Sequence, residues 1–175
     1  MSGHNKFSKI KHQKAKNDGQ KSKIFGKLVR FITVEAKKAG GNLKSPGLAL
    51  AIEKARKANM PNDTIDRAIK KASDNSIAME TIVYESYGPG GTAILIETLT
   101  DNKNKAAQEI KAILTRHGST LVTPGGASWA FTKGSEGLVA NMTVSLEDTD
   151  IEKLQALVEE LEENDEVQEV FTNAE

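Results

Sequence analysis

Histidine is the side chain best matched to proton transfer near neutral pH, and this chain has three: His4, His12 and His117. His4 and His12 stand eight residues apart in a lysine-rich start, too far apart and too isolated for the clustered ligands that a metal needs. His117 ends a helical pattern, where a cation is favoured by the helix dipole. There is no cysteine and no Gly-x-Ser-x-Gly elbow, and spacing pairs no histidine with a carboxylate. No catalytic residue, metal site or cofactor is therefore assigned. The glycine loop YGPGGTA lacks the lysine of a phosphate loop and precedes a strand pattern where such a loop would open a helix, so it reads as a tight turn. The segment from Asn102 to Lys105 places two lysines at a helix start, a weak anion signal by itself.

The lysines say more. The opening MSGHNKFSKIKHQK has no apolar period, and Lys6, Lys9, Lys11, Lys14, Lys16 and Lys21, with His12, form a basic arm carrying one aromatic ring, Phe7. Beyond Ser22, Ile24, Phe25, Leu28, Val29, Ile32 and Ala36 recur at helical spacing. At about 100° per residue, Lys23, Lys27, Arg30, Lys37 and Lys38 fall in the opposite arc. One side packs and the other is basic, with Glu35 the only acid. Such a stripe suits phosphates read without regard to sequence, each contact steepening the salt dependence. Phe7 and Phe31 are candidates for stacking on unpaired bases. The nucleic-acid-binding candidates are thus Lys6, Phe7, Lys9, Lys11, His12, Lys14, Lys16, Lys21, Lys23, Lys27 and Arg30.

The net charge of zero conceals a division. Residues 1–75 hold 18 Lys and Arg against 6 Asp and Glu, and residues 76–175 hold 6 against 18. Two domains with different partners are expected, the first for polyanions and the second, acidic one for protein. Three helices are predicted in residues 1–75: the first closed by Gly40 and Gly41, a second opened by Ser45 and Pro46 and stopped at Met60 and Pro61, and a third from Asn62 with Ile65, Ala68, Ile69 and Ala72 inward. After the polar linker around residues 73–76 the period becomes two. Strands are predicted over 81–87, 92–100, 127–132 (with Trp129 and Phe131 on one face), 138–146 and 167–172. Helices follow Asp101-Asn102 and Asp148-Thr149-Asp150. The class is α+β: a three-helix bundle, then a ferredoxin-like β-α-β-β-α-β domain whose antiparallel sheet is covered by two helices.

No apolar run approaches the length of a membrane helix, and the basic start lacks the apolar core of a secretory signal. A presequence is disfavoured because no arginine precedes Arg30.

The blocks GHNKFSKIKHQK, SKIFGKLVR, KANMPNDTIDRAIKK, YESYGPGGTAILIETLTDNKNKAAQEIKAILTRHG, SWAF and EVQEVFTN, spread over most of the chain, resemble the YebC family. That family includes the mitochondrial translational activator of cytochrome oxidase. The resemblance implies a cytoplasmic, non-enzymatic regulator of gene expression, described in the family as a DNA-binding transcriptional regulator and also as a ribosome-associated translation factor. It places the nucleic-acid surface on Lys6, Lys9, Lys11, His12, Lys14, Lys23, Lys27 and Arg30. Typical members carry Trp where Phe7 stands and a basic residue where Gln13 stands, and the family often has arginines just after the proline that opens the second helix, where Gly47, Leu48 and Ala49 supply none. They also insert a further domain after the strand matching 128–131, so a short form is expected. The expected target is ribosomal RNA, with DNA as the alternative and an acidic protein partner as the rival reading.

Overall fold

In a computed structural model, residues 18–74, 78–135 and 137–175 are described, with side chains from Lys21 onward. The chain divides into two compact units, one ending at Glu80 and the other spanning Thr81–Glu175.

The helical unit contains α1 (Asp18–Ala39), α2 (Pro46–Lys57) and α3 (Asn62–Lys71). Helix α1 starts earlier than the apolar period suggests, and Gly40 and Gly41 end it with φ of 55° and 86°, the left-handed conformation that glycine tolerates best. Its apolar stripe packs on both partners: Ile32, Ala36, Leu48, Ala51, Ala55, Met60, Ile65 and Ala68 are the buried core. The Thr33 hydroxyl donates chiefly to the Val29 carbonyl one turn back at 2.8 Å and shares its proton with the Ala68 carbonyl of α3 at 3.3 Å.

The second unit holds β1 (Glu80–Tyr87), β2 (Ala93–Thr100), α4 (Lys103–Arg116), β3 (Leu121–Val122), β4 (Phe131–Gly134), β5 (Gly137–Ala140), α5 (Asp148–Glu163) and β6 (Val167–Thr172). Its main sheet runs β3-β1-β2-β6. The pairs β1–β3 and β2–β6 are antiparallel. One face, through Ile94 and Ile96, packs on Ile110, Ile113 and Leu114 of α4 and on Leu154, Leu157, Val158 and Leu161 of α5. The opposite face, through Ala93 and Leu95, packs on Ala127, Ala130 and Phe131. Asn102 caps α4 as expected, its Oδ1 accepting the Lys105 N–H at 3.1 Å.

The α+β class, the leading helices and the antiparallel sheet under two helices are therefore as expected. The sheet's membership differs. The order β2, α4, β4, β5, α5, β6 does occur along the chain, but β4 and β5 pair with each other in a separate two-stranded sheet. Strands β1 and β3 complete the main one. The strand predicted over 127–132 is instead a 3-10 turn at Ser128–Ala130 followed by β4, so Trp129 faces solvent while Phe131 is buried. The reason is Glu85, whose carboxylate gathers the N–H groups of Gly125, Ala127 and Ser128 and coils the segment before it can extend. The long strand predicted over 138–146 ends at Ala140 and resumes only as a single bridge, Val144 to Ala174.

The glycine loop is the tight turn expected, with Gly90 at φ 68° and a Cβ there colliding with the Leu146 side chain. Gly90→Ala should cost roughly 2 kcal/mol from left-handed backbone strain and overlap. Thermal denaturation followed by circular dichroism should show this as a lower midpoint for the sheet-containing unit.

Candidate nucleic-acid interface

Of the eleven predicted binding residues, Lys6, Phe7, Lys9, Lys11, His12, Lys14 and Lys16 lie outside the described residues. The other four share α1. Lys21 and Lys23 are exposed; Lys27 and Arg30 are half-buried. Lys37 and Lys38 continue the arc as exposed residues one to two turns on, with Lys38 Nζ 2.9 Å from Glu35 Oε1.

The helix dictates this placement. Ile32 and Ala36 are buried on the core side, so residues roughly half a turn away point outward. The arc is not uniform, however. Val34 falls inside it and is buried at 7% exposure. With Thr33, Lys37, Lys38 and Met79 it lines a shallow depression. The basic surface is thus split into an N-terminal group around Lys23, Lys27 and Arg30 and a C-terminal pair.

Phe31 does not serve as a free stacking ring. It packs partly buried against the helical core, and the Lys54 ammonium lies 5.7 Å from the ring centroid, within cation–π range. This contact brings Lys54 of α2 beside the basic arc of α1, a neighbour that sequence spacing misses because the two residues belong to different helices. The last turn of α2 also carries Arg56 and Lys57, which spacing within α2 could have flagged.

His117 does meet a carboxylate, its Nε2 lying 2.6 Å from Glu160 Oε2. Arg116 holds the other oxygen, Oε1, through Nε at 2.9 Å and through its terminal nitrogen. Both oxygens are engaged, so the cluster braces α4 against α5 at the surface. The Arg116 and His117 hydrogen bonds hold the Glu160 carboxyl below its ordinary range against the opposing push of burial. A carboxylate with a depressed folded-state pKa adds stability that is complete above its unfolded pKa and fades as pH falls through the folded value. Glu160→Gln should therefore cost about 1 kcal/mol or less at neutral pH, the pair being partly solvated. The deficit should shrink in acid, as thermal melts across a pH series would show.

Among the described residues, no group of three or more metal-ligating side chains comes together, and no helix is long and apolar enough to cross a membrane.

Comparison with known proteins places this geometry in a context. A family model described as the TACO1/YebC protein N-terminal domain matches residues 5–75, and one described as the TACO1/YebC second and third domain matches residues 79–139. A protein of Fervidobacterium nodosum is 44% identical over 171 residues, covering 95% of this chain and 68% of its own length. One of Dictyoglomus turgidum is 42% identical over 179 residues, covering 100% and 72%. Both are named as probable transcriptional regulatory proteins, and neither name carries an enzymatic activity. The crystal structure of a conserved hypothetical protein from Aquifex aeolicus matches with a TM-score of 0.81 and 30% identity, covering 95% of each chain.

Proposed function

The chain belongs to the TACO1/YebC family, and we propose that it is a non-enzymatic regulator that holds nucleic acid, duplex DNA in the first place, on the basic face of α1. Lys23, Lys27 and Arg30 supply the described part of that grip, and Lys21 with the arm residues Lys6, Lys9, Lys11, His12, Lys14 and Lys16 extends it. The observation that carries this reading is the two-sided character of α1, one side sunk in the core and the other basic. Lys54 adds a cation from α2.

The contacts are to phosphate, so they position the ligand and do not read bases. Sequence alone leaned toward ribosomal RNA. The names of the relatives favour the alternative, DNA and transcription. The acidic second unit is left to orient the complex or to meet protein. Nothing in the proposal draws on the part of the longer relatives that this chain does not span.

Fluorescence anisotropy with a labelled DNA duplex, titrated with the full chain at several salt concentrations and challenged with structured RNA and with ribosomes, tests the reading. Salt-sensitive DNA binding that RNA does not displace preferentially is the expected result. Binding only to ribosomes would move the function to translation. Binding to neither would leave the protein-docking rival.

A further inference from the structure

Residues 118–146 contain only two charged side chains, Lys133 and Glu136, in a chain of which 27% is charged. The same stretch carries three of the six exposed large apolar residues among those described: Trp129 at 55%, Val139 at 52% and Met142 at 54%. All three lie on or within two residues of the β4–β5 hairpin. Thr132 stands opposite Val139 on the solvent side of the hairpin, and the Asn141 N–H donates to the Ala130 carbonyl at 2.8 Å, which joins the two segments where the strands end. Depletion of charge with enrichment in Trp and Met is the composition of an interface centre.

Trp129 is displayed, not loose. Its indole N–H donates to the Tyr87 hydroxyl at 2.8 Å and to the Gly126 carbonyl at 3.0 Å. Its own carbonyl accepts the Asn141 amide at 3.1 Å. Tyr87 in turn donates to Gly126. With its polar edge satisfied, the indole offers a preorganised apolar face, the kind of anchor that dominates binding energy.

We propose that this face is a self-association surface, occupied by a second copy of the chain. Charge selects that occupant. In a two-fold contact every residue confronts the same patch of its copy, and Thr81–Glu175 holds 6 Lys and Arg against 17 Asp and Glu. Most of this unit's surface would repel itself, whereas the sequence of residues 118–146 carries one charge of each sign. The strand edge points the same way. The two-stranded sheet leaves an outer edge on β5, which reads GLVA and lacks the lysine or proline that ordinarily blunts an edge. Antiparallel pairing of a strand with its own copy is itself a two-fold operation. A nucleic acid, by contrast, would find only Lys133 here.

Trp129 is the only tryptophan in the chain and so reports directly on the contact. For the full chain between roughly 1 and 100 µM, where micromolar self-association titrates, sedimentation should show a monomer giving way to a dimer while indole emission shifts to the blue. Val139→Lys, at an exposed site, should weaken association about 10-fold or more by setting like charges across the two-fold. Its far-ultraviolet circular dichroism should stay unchanged, and its emission should stay red-shifted. A chain that remains monomeric with concentration-independent emission, or a dimer that Val139→Lys leaves intact, overturns the proposal.

Discussion

Changing Lys23, Lys27 and Arg30 together to Glu is expected to lower the affinity of the full chain for duplex DNA by at least about 100-fold near 0.15 M salt, because each lost phosphate contact forfeits roughly a five-fold counterion-release factor. Introducing three anions should deepen the loss. The loss should be nearly independent of DNA sequence, since phosphate contacts carry no base information. The slope of log affinity against log salt should fall by about 3, again at close to one unit per contact. The three side chains are exposed or half-buried on the side of α1 away from Ile32 and Ala36, so helicity and melting temperature should change little. Anisotropy and circular dichroism on the same preparations separate lost binding from lost folding. Unchanged affinity in a folded variant would move the nucleic acid elsewhere.

Removing the Glu85 carboxylate should produce the largest loss of stability. Glu85 is 8% exposed and accepts the N–H of Gly125 at 2.9 Å, of Ala127 at 2.8 Å and of Ser128 at 2.9 Å. Burial pushes its carboxyl up, but these backbone donors, with the Ser128 hydroxyl, outweigh it and hold the group below its ordinary value. Glu85→Ala strands these donors in a largely closed site and should cost roughly 3 kcal/mol or more. Glu85→Gln keeps the shape, but its amide turns an N–H group toward donors, and it should cost about 1–3 kcal/mol. The sign of the pH dependence follows from the depressed pKa. The stabilisation is complete above the unfolded carboxyl value and is lost as pH falls through the folded one. Wild type should thus lose stability on acidification faster than Glu85→Gln. Because the two units need not unfold together, the transition should be followed by Trp129 emission, which reports the loop that Glu85 organises. Equal stability of Glu85→Gln at neutral pH would contradict this role.

The Glu85 loop also shows where sequence reading stops. The helices were legible because their apolar periods and stops are local: Gly40 and Gly41 after α1, Pro46 opening α2, and Ile151, Leu154, Leu157, Val158 and Leu161 along α5. The 127–132 segment was not, because the group that coils it lies some forty residues earlier on β1. Two-residue β3 is too short to show a period, and its partner, β1, is chosen by the sheet. The basic side of α1 was legible in the same way as its core side. Its flaws were not: Val34 is covered in the fold, and Phe31 has its ring beneath Lys54 from another helix.

The most direct test of the central claim asks where the nucleic acid sits. Lysine acetylation of the full chain, with and without a DNA duplex, read by mass spectrometry, should show Lys21, Lys23 and Lys27 protected by DNA. Lys111, Lys133 and Lys153 should be modified equally in both samples. Protection confined to the acidic unit, with Lys23 and Lys27 equally reactive in both states, would contradict the account.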